Sequence, residues 1–389
     1  MAHDKITKAL KNILNNVNYT NYNLKIEEIS TGGANYTSNL FKVEVVPEDD
    51  KPTLHLFVKV ACPSVKLRST LDEWKIYTTE QLFYTRLLKT YKALENEHRV
   101  PSEERLHSCK YYGSSLVVLE EMIVLEDLTA SNWLAYDRLK SIDWPYAKAA
   151  ISQLAKFHAL SFAYGESNPD EFNRVLDELK TQMNHESLAT FVENAKSVAL
   201  QKVKSERKNL LKEYLKDFEA KIKKVNEPSS HNAITHGVFR PSNLMHKTKE
   251  DGSMEVIIVD MQTLQGASPV ADLLYFIFTG SDKEFRAEYY DKLIDHYYSE
   301  LEAAMKRLHM DPEKIYSRAV FDQEFKEKLP LGLTIAVFAL PVVTVSPDKA
   351  PKVDEDMELS AFSAETASDL YVERLNGVVD DFVKWGLLK

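Results

Sequence analysis

His236-Gly237-Val238-Phe239-Arg240-Pro241-Ser242-Asn243, answered downstream by Ile257-Ile258-Val259-Asp260-Met261-Gln262, decides the fold. The second run is an apolar strand that stops at a carboxylate. Between the two, Leu244 to Val259 reads as a hairpin turning at Asp251-Gly252, a dipeptide suited to the positive φ of a two-residue β-turn. A hairpin returns the chain to its origin, so Asn243 and Asp260, seventeen positions apart, end near each other. An amide oxygen and a carboxylate so placed suit Mg²⁺, a hard cation that takes oxygen ligands beside phosphate. His236 reads first as a buried, hydrogen-bonded brace for its loop. Arg240 has two readings: a guanidinium turned to a phosphate, or a loop arginine paired with a nearby acid.

Features on either side complete a phosphate-handling set. Ile29 to Ser38 is a small-residue turn holding Gly32 and Gly33 between two strand-like stretches. Glycine lets backbone N–H groups approach phosphate oxygens closely; the plain alternative is an ordinary hairpin turn. In the run Leu54 to Val60, alternation sends Leu54, Leu56 and Val58 to one face and His55, Phe57 and Lys59 to the other. Lys59 can then reach phosphates, held by Glu80 on the following helix, or the two are simply a solvated lysine and a surface acid. Glu126-Asp127-Leu128 leaves a strand where a hinge between lobes belongs. Its backbone suits the edge of a base, and its acids are either solvated or bound to sugar hydroxyls. Asp272 opens an apolar helix, where a carboxylate caps backbone N–H groups or holds the His236 loop.

The chain as a whole reads as α+β in two lobes, a β-rich N-lobe over residues 1–128 and a larger helical C-lobe over 129–389. Leu40 to Val46 and Leu54 to Val60 are strand-like, Leu71 to Tyr91 is helical, and Ser115 to Leu119 and Met122 to Leu125 are short apolar stretches. Tyr146 to Ala163 repeats apolar residues at helical spacing, and Phe172 to Val225 reads as charged amphipathic helices. At the N-terminus, Ile6, Leu10 and Leu14 mark one face of another helix. Ser346 to Glu358, with its prolines and acids, reads as a solvated connection.

A net charge of −10 argues against a nucleic-acid partner, which a basic excess would mark. Two cysteines, Cys62 and Cys109, cannot build a disulfide framework in 389 residues, so a reducing, cytoplasmic setting is expected. No signal peptide is expected at the N-terminus. The most apolar run, Leu329 to Val345, is short for a span and broken by Pro330, Gly332 and Pro341, so a buried helix is expected and no membrane partner.

With these motifs in order, the chain resembles the ecdysteroid-kinase-like family, which is grouped with choline kinases and aminoglycoside phosphotransferases. The resemblance runs from about Thr31 to Leu388. It rests on Gly32-Gly33-x-Asn35-Tyr36-x-Ser38, Lys59, Tyr77-x-x-Glu80-x-x-Phe83-Tyr84, Leu125-Glu126-Asp127-Leu128 and Leu154-Ala155-Lys156-Phe157-His158-Ala159. It continues through His236-Gly237, Val259-Asp260-Met261-Gln262, Asp272-Leu273 and Arg374-Leu375. It implies a protein-kinase-like fold and ATP- and Mg²⁺-dependent phosphorylation of a small-molecule hydroxyl, with steroids among the family's acceptors. It also implies nucleotide contacts from Gly32, Gly33, Asn35, Ser38, Lys59, Glu80, Glu126, Asp127 and Leu128, and metal contacts from Asn243 and Asp260.

One departure matters most. Relatives read His-Gly-Asp where this chain has His236-Gly237-Val238, and valine cannot accept a proton. General-base help is worth about 10²- to 10⁴-fold, although phosphoryl transfer depends chiefly on positioning and electrostatics. Two readings follow. One is a phosphotransferase acting on a lipophilic alcohol by way of Arg240 and Mg²⁺; the other is a pseudokinase that binds nucleotide or ligand without turnover.

Overall fold

The computed structural model describes residues 2–30, 32–64, 66–68, 75–118, 120–180, 185–225, 227–357 and 367–389. Five antiparallel strands, β1 (Tyr22–Ile29), β2 (Ser38–Pro47), β3 (Leu54–Ala61), β4 (Tyr111–Ser115) and β5 (Met122–Glu126), form one sheet in the order β1-β2-β3-β5-β4. Alternation gives the sheet two unlike faces. Phe41, Val43, Val45, Leu56, Val58 and Val124 point one way and are covered by Ile6, Leu10, Ile13 and Leu14 of α1 (Ala2–Asn16). Burying such side chains is worth about 1.5–3 kcal/mol each, which secures a helix too short to persist alone. On the other face Leu40, Lys59 and Ile123 stand in register across three strands, towards the second lobe.

The helix expected over Leu71 to Tyr91 begins outside the described residues. It is seen as α2 (Ile76–Leu82), a single π turn (Phe83–Leu87) and α3 (Leu88–Glu97), ending beyond Tyr91. In the apolar stretch Ser115 to Leu119, β4 ends at Ser115 and Leu116, Val117 and Val118 are exposed; Leu119 lies outside the described residues.

After the hinge at Glu126–Leu128 the chain is mainly helical. Its central helix, α4 (Trp144–Ser167), starts where Asp143 accepts from Tyr146 N at 2.9 Å with Pro145 in the first turn. Around it lie α5 (Pro169–Leu179), α6 (His185–Lys202), α7 (Lys208–Tyr214), α8 (Phe218–Val225), α9 (Val270–Gly280), α10 (Lys283–Arg307), α11 (Pro312–Ile315), α12 (Arg318–Lys328), α13 (Leu331–Val343) and α14 (Asp369–Lys384). The expected hairpin is β8 (Leu244–Thr248) with β9 (Met254–Ile258), joined on one side by β6 (Leu134–Ala135). β7 (Ala233–Thr235) pairs with β10 (Gln265–Ala267), bracketing the His236 loop. The apolar run around α13 is buried inside this lobe. Among the described residues no helix is long and apolar enough to cross a membrane.

The segment after α13 departs from its reading as a free, solvated connection. Pro347, Asp348 and Lys349 are exposed, but Val345 and Met357 are buried. Asn39 Nδ2 donates to Val353 O at 3.3 Å, and Ser64 Oγ donates to Met357 O at 2.7 Å. Residues 345–357 therefore form a strap from the helical lobe to the start of β2 and the segment after β3. Apolar anchors spaced between acids and prolines hide this in composition. Glu358 lies outside the described residues.

Candidate active site

Between the lobes, Lys59 Nζ donates to Glu80 Oε2 at 2.7 Å and to Asp260 Oδ1 at 2.6 Å. Strand alternation carries Lys59 inward, α2 carries Glu80, and β9 ends two residues before Asp260. The Lys59 and Glu80 side chains are 7% and 0% exposed, whereas Asp260 retains 29% and faces the cleft. Asp260 sits at φ 67°, ψ 55°, a left-handed conformation that aspartate tolerates and that turns its carboxylate back to Lys59. Burial would depress the Lys59 pKa, but the two carboxylates outweigh it and hold the ammonium above its usual range. Burial would raise Asp260; Lys59 reverses that and keeps it ionised. Glu80, buried more deeply, stays raised despite Lys59. Gln262 joins the group, its Nε2 donating to Glu80 Oε2 at 3.2 Å and its Oε1 accepting from Thr37 Oγ1 at 2.9 Å.

The His236 loop is fastened from below. Asp272, fully buried, accepts from His236 N at 2.7 Å and Gly237 N at 2.8 Å, and its Oδ2 lies 3.1 Å from His158 Nε2. His158 is wholly buried and reaches Tyr297 OH with its other nitrogen. His236 Nε2 donates to Val259 O at 3.0 Å, bracing the strand that delivers Asp260. Gly237 has φ 81°, and a Cβ there would lie 2.3 Å from Thr263 O, so no side chain fits.

Asn243 donates its Nδ2 to Val238 O at 3.0 Å, leaving its side-chain oxygen as the remaining ligand atom. Val259 N donates to Asn243 O at 3.0 Å, the next rung beyond the Leu244–Ile258 pair, so Asn243 and Asp260 are brought together. An amide oxygen and a carboxylate form the donor set Mg²⁺ takes when phosphates and water complete its shell. Among the described residues no group of three His, Cys, Asp or Glu could hold a metal unaided.

The turn after β1 lies over this centre, with Gly32 at φ 54° and Gly33 at φ 91°. Asn35 and Ser38 occupy its far side. Asn35 Nδ2 bonds Ser38 O and its Oδ1 accepts from Thr37 Oγ1, so the amide shapes the turn itself. Ser38 is buried with its hydroxyl unpartnered. Thr31 lies outside the described residues. At the hinge, Asp127 is buried and accepts from Thr129 N and Oγ1, while Glu126 Oε2 accepts from Lys110 N at 3.2 Å. Those two carboxylates serve the hinge backbone, and Leu128 is buried beside them.

One arrangement emerges from geometry alone: a buried lysine bridging two acids, a carboxylate-held loop, and an asparagine beside a strand-end aspartate. A family model for the ecdysteroid kinase-like family matches residues 32–310, more than half of the chain. The chain belongs to the ecdysteroid kinase-like family. Its fold is accordingly the two-lobed, kinase-like one that the sheet and helical lobe describe, and the family is one of small-molecule phosphotransferase type. Among curated proteins none matches the chain.

Two features of this family member escape sequence reading. Arg240 Nη2 donates to Ala34 O at 2.9 Å, tying the His236 loop to the glycine turn. Arg138, from the stretch after β6, donates to Gly32 O, to Val343 O at 2.8 Å and to Val345 O at 2.7 Å. It thus joins the glycine turn to the start of the strap. Nothing near Arg138 in sequence signals this, because its partners are more than a hundred positions away.

Proposed function

We propose that the protein binds ATP with Mg²⁺ between its lobes and transfers the terminal phosphoryl group to a small-molecule oxygen acceptor in the cytoplasm. The observation that carries this is Lys59 held jointly by Glu80 and Asp260, 2.7 and 2.6 Å away, beside Asn243. Such a lysine is fixed in place before ligand arrives and presents its charge where phosphates enter. When bound, Mg²⁺ would be held by Asn243 and Asp260 and would offset the charge of the phosphates. The glycine turn supplies backbone N–H groups over them, and Glu126 to Leu128 offers main-chain atoms to the base. Arg240 and His236 shape the transfer site, the first by its charge and the second by bracing Val259.

The family's chemistry favours a hydroxyl of a lipophilic alcohol, such as a steroid, and Val238 limits it. With no carboxylate at that position, transfer to an alcohol should run about 10²- to 10⁴-fold below a base-equipped site. Val238 also supports a second reading, nucleotide binding without turnover. Titration with a fluorescent ATP analogue, with and without Mg²⁺, tests the shared part: wild type should bind, and Asp260→Ala should lose the Mg²⁺-dependent component. Unchanged binding by Asp260→Ala would refute the metal assignment. Product mass from steroid, terpenoid and amino-alcohol acceptors, wild type beside Val238→Asp, separates the two readings.

A further inference from the structure

The charges around the missing base point to the acceptor. Arg138 and Arg240 both reach the underside of the glycine turn, and neither is in an ion pair among the described residues. Among the described residues their guanidinium groups donate to neutral carbonyls: Gly32, Val343 and Val345 for Arg138, and Ala34 for Arg240. Arg240 Nε is buried and has no acceptor at all, so the site lacks an oxygen there. The two arginines also bear on each other: burial disfavours the charged form of Arg138, Tyr36 and Asp137 favour it, and Arg240 opposes it. Two like charges that bear on each other, with no salt-bridge partner among the described residues, favour an anion between them.

The position of the usual base offers no proton acceptor for a neutral alcohol. Val238 has none. Both Asp272 oxygens are taken by loop N–H groups, and Glu80 and Asp260 share Lys59. The phenols nearest the arginines stay protonated. Burial pushes Tyr36 up to about 12, and Tyr275 is raised by burial against the pull of Arg240. Compared with a site that carries an aspartate, this one lacks a negative charge at position 238 and holds two arginines without a salt-bridge partner among the described residues, Arg240 acting on Asp260 only through space.

We propose that the acceptor is an oxygen nucleophile that is already ionised, a carboxylate or a phosphate monoester, seated between Arg138 and Arg240. This rests on the reading that Mg²⁺ and ATP bind at Asp260 and Asn243. The acceptor oxygen supplies its electron pair to the γ-phosphorus, and the bond from that phosphorus to the β-bridging oxygen breaks. That bond's electron pair leaves on ADP. No proton is removed from the nucleophile, so the step needs no base. The product is an acyl phosphate or a pyrophosphate-linked ester.

The full-length protein is tested with Mg²⁺ and ATP against matched acceptors that share one steroid or terpenoid skeleton and end in an alcohol, a carboxylic acid or a phosphate monoester. Products are read by mass, with hydroxylamine present to trap an acyl phosphate as its hydroxamate. Wild type should favour one of the ionised acceptors over the matching alcohol by about tenfold or more, and Arg138→Gln and Arg240→Gln should each lower that transfer by about tenfold or more. Arg138→Lys should recover part of it by restoring charge. The acid and phosphate arms tell the two ionised classes apart. Equal or faster transfer to the alcohol overturns the proposal, as does no transfer to either ionised acceptor by wild type that binds Mg²⁺ and ATP. Absence of nucleotide binding is a different failure, that of the underlying reading, and the fluorescent-analogue titration detects it separately.

Discussion

At Lys59 the charge balance is tight enough to predict. One ammonium stands between two carboxylates, and one of these, on Glu80, is wholly buried with its second oxygen unpartnered. Lys59→Met would leave two acids facing each other without a cation. Breaking a buried pair in this way costs about 3–5 kcal/mol, so the midpoint of urea unfolding should fall accordingly. Glu80, already raised by burial, would then take up a proton in the folded state. A carboxyl raised on folding adds stability at low pH and loses it as pH rises through its folded value, so the deficit should shrink on acidification. In Lys59→Met/Glu80→Leu much of the loss should return, because the stranded charge has gone. A double variant no more stable than Lys59→Met would mean that the pair is not the source of the cost.

Elements, more than residues, explain what could be read before the structure. Lys59 follows from strand alternation, Glu80 from the helix after it, and Asn243 with Asp260 from a hairpin that closes on itself. Each is a local periodicity, and a chain carries those in plain view. The fastening of α9 to the His236 loop is legible only in part. Asp272 at a helix start suggests a cap, yet its carboxylate faces two loop N–H groups and His158 of α4, a partner 114 positions away. Arg138 lies in a polar stretch with no period at all, so neither its carbonyl partners nor the strap they begin is visible locally. Asp272→Ala should strip three polar groups, two of them buried, of their partner. With unsatisfied buried donors at about 1–3 kcal/mol each, the variant should unfold at markedly lower denaturant, and hydrogen exchange at Gly237 should accelerate. If Gly237 remains protected, the loop is held by something other than α9.

Across the whole molecule the strap and the glycine turn form one closure, and Arg138 is its pin. The guanidinium holds Val343 and Val345 on one side and Gly32 on the other. Packing seals the same seam: a Cβ on Gly33 would lie 2.9 Å from Ala350 Cβ and 2.9 Å from Arg138 Nη2. Further along, Val353 and Met357 are tied to the sheet lobe through Asn39 and Ser64. Exposed Lys349 and Lys352 lie between these anchors, so their backbone is open to trypsin only as far as the strap can lift. Arg138→Ala removes three hydrogen bonds at one end while leaving the far anchors in place. Cleavage after Lys349 and Lys352 should therefore quicken by about fivefold or more, since a lost hydrogen bond is worth roughly 1 kcal/mol and three are lost together. Cleavage elsewhere in the helical lobe should keep its wild-type rate. Mass-resolved digestion over time reads both sets of sites at once. Uniform acceleration would mean general destabilisation, and an unchanged rate at the two lysines would show that the distal anchors alone hold the strap against the lobes.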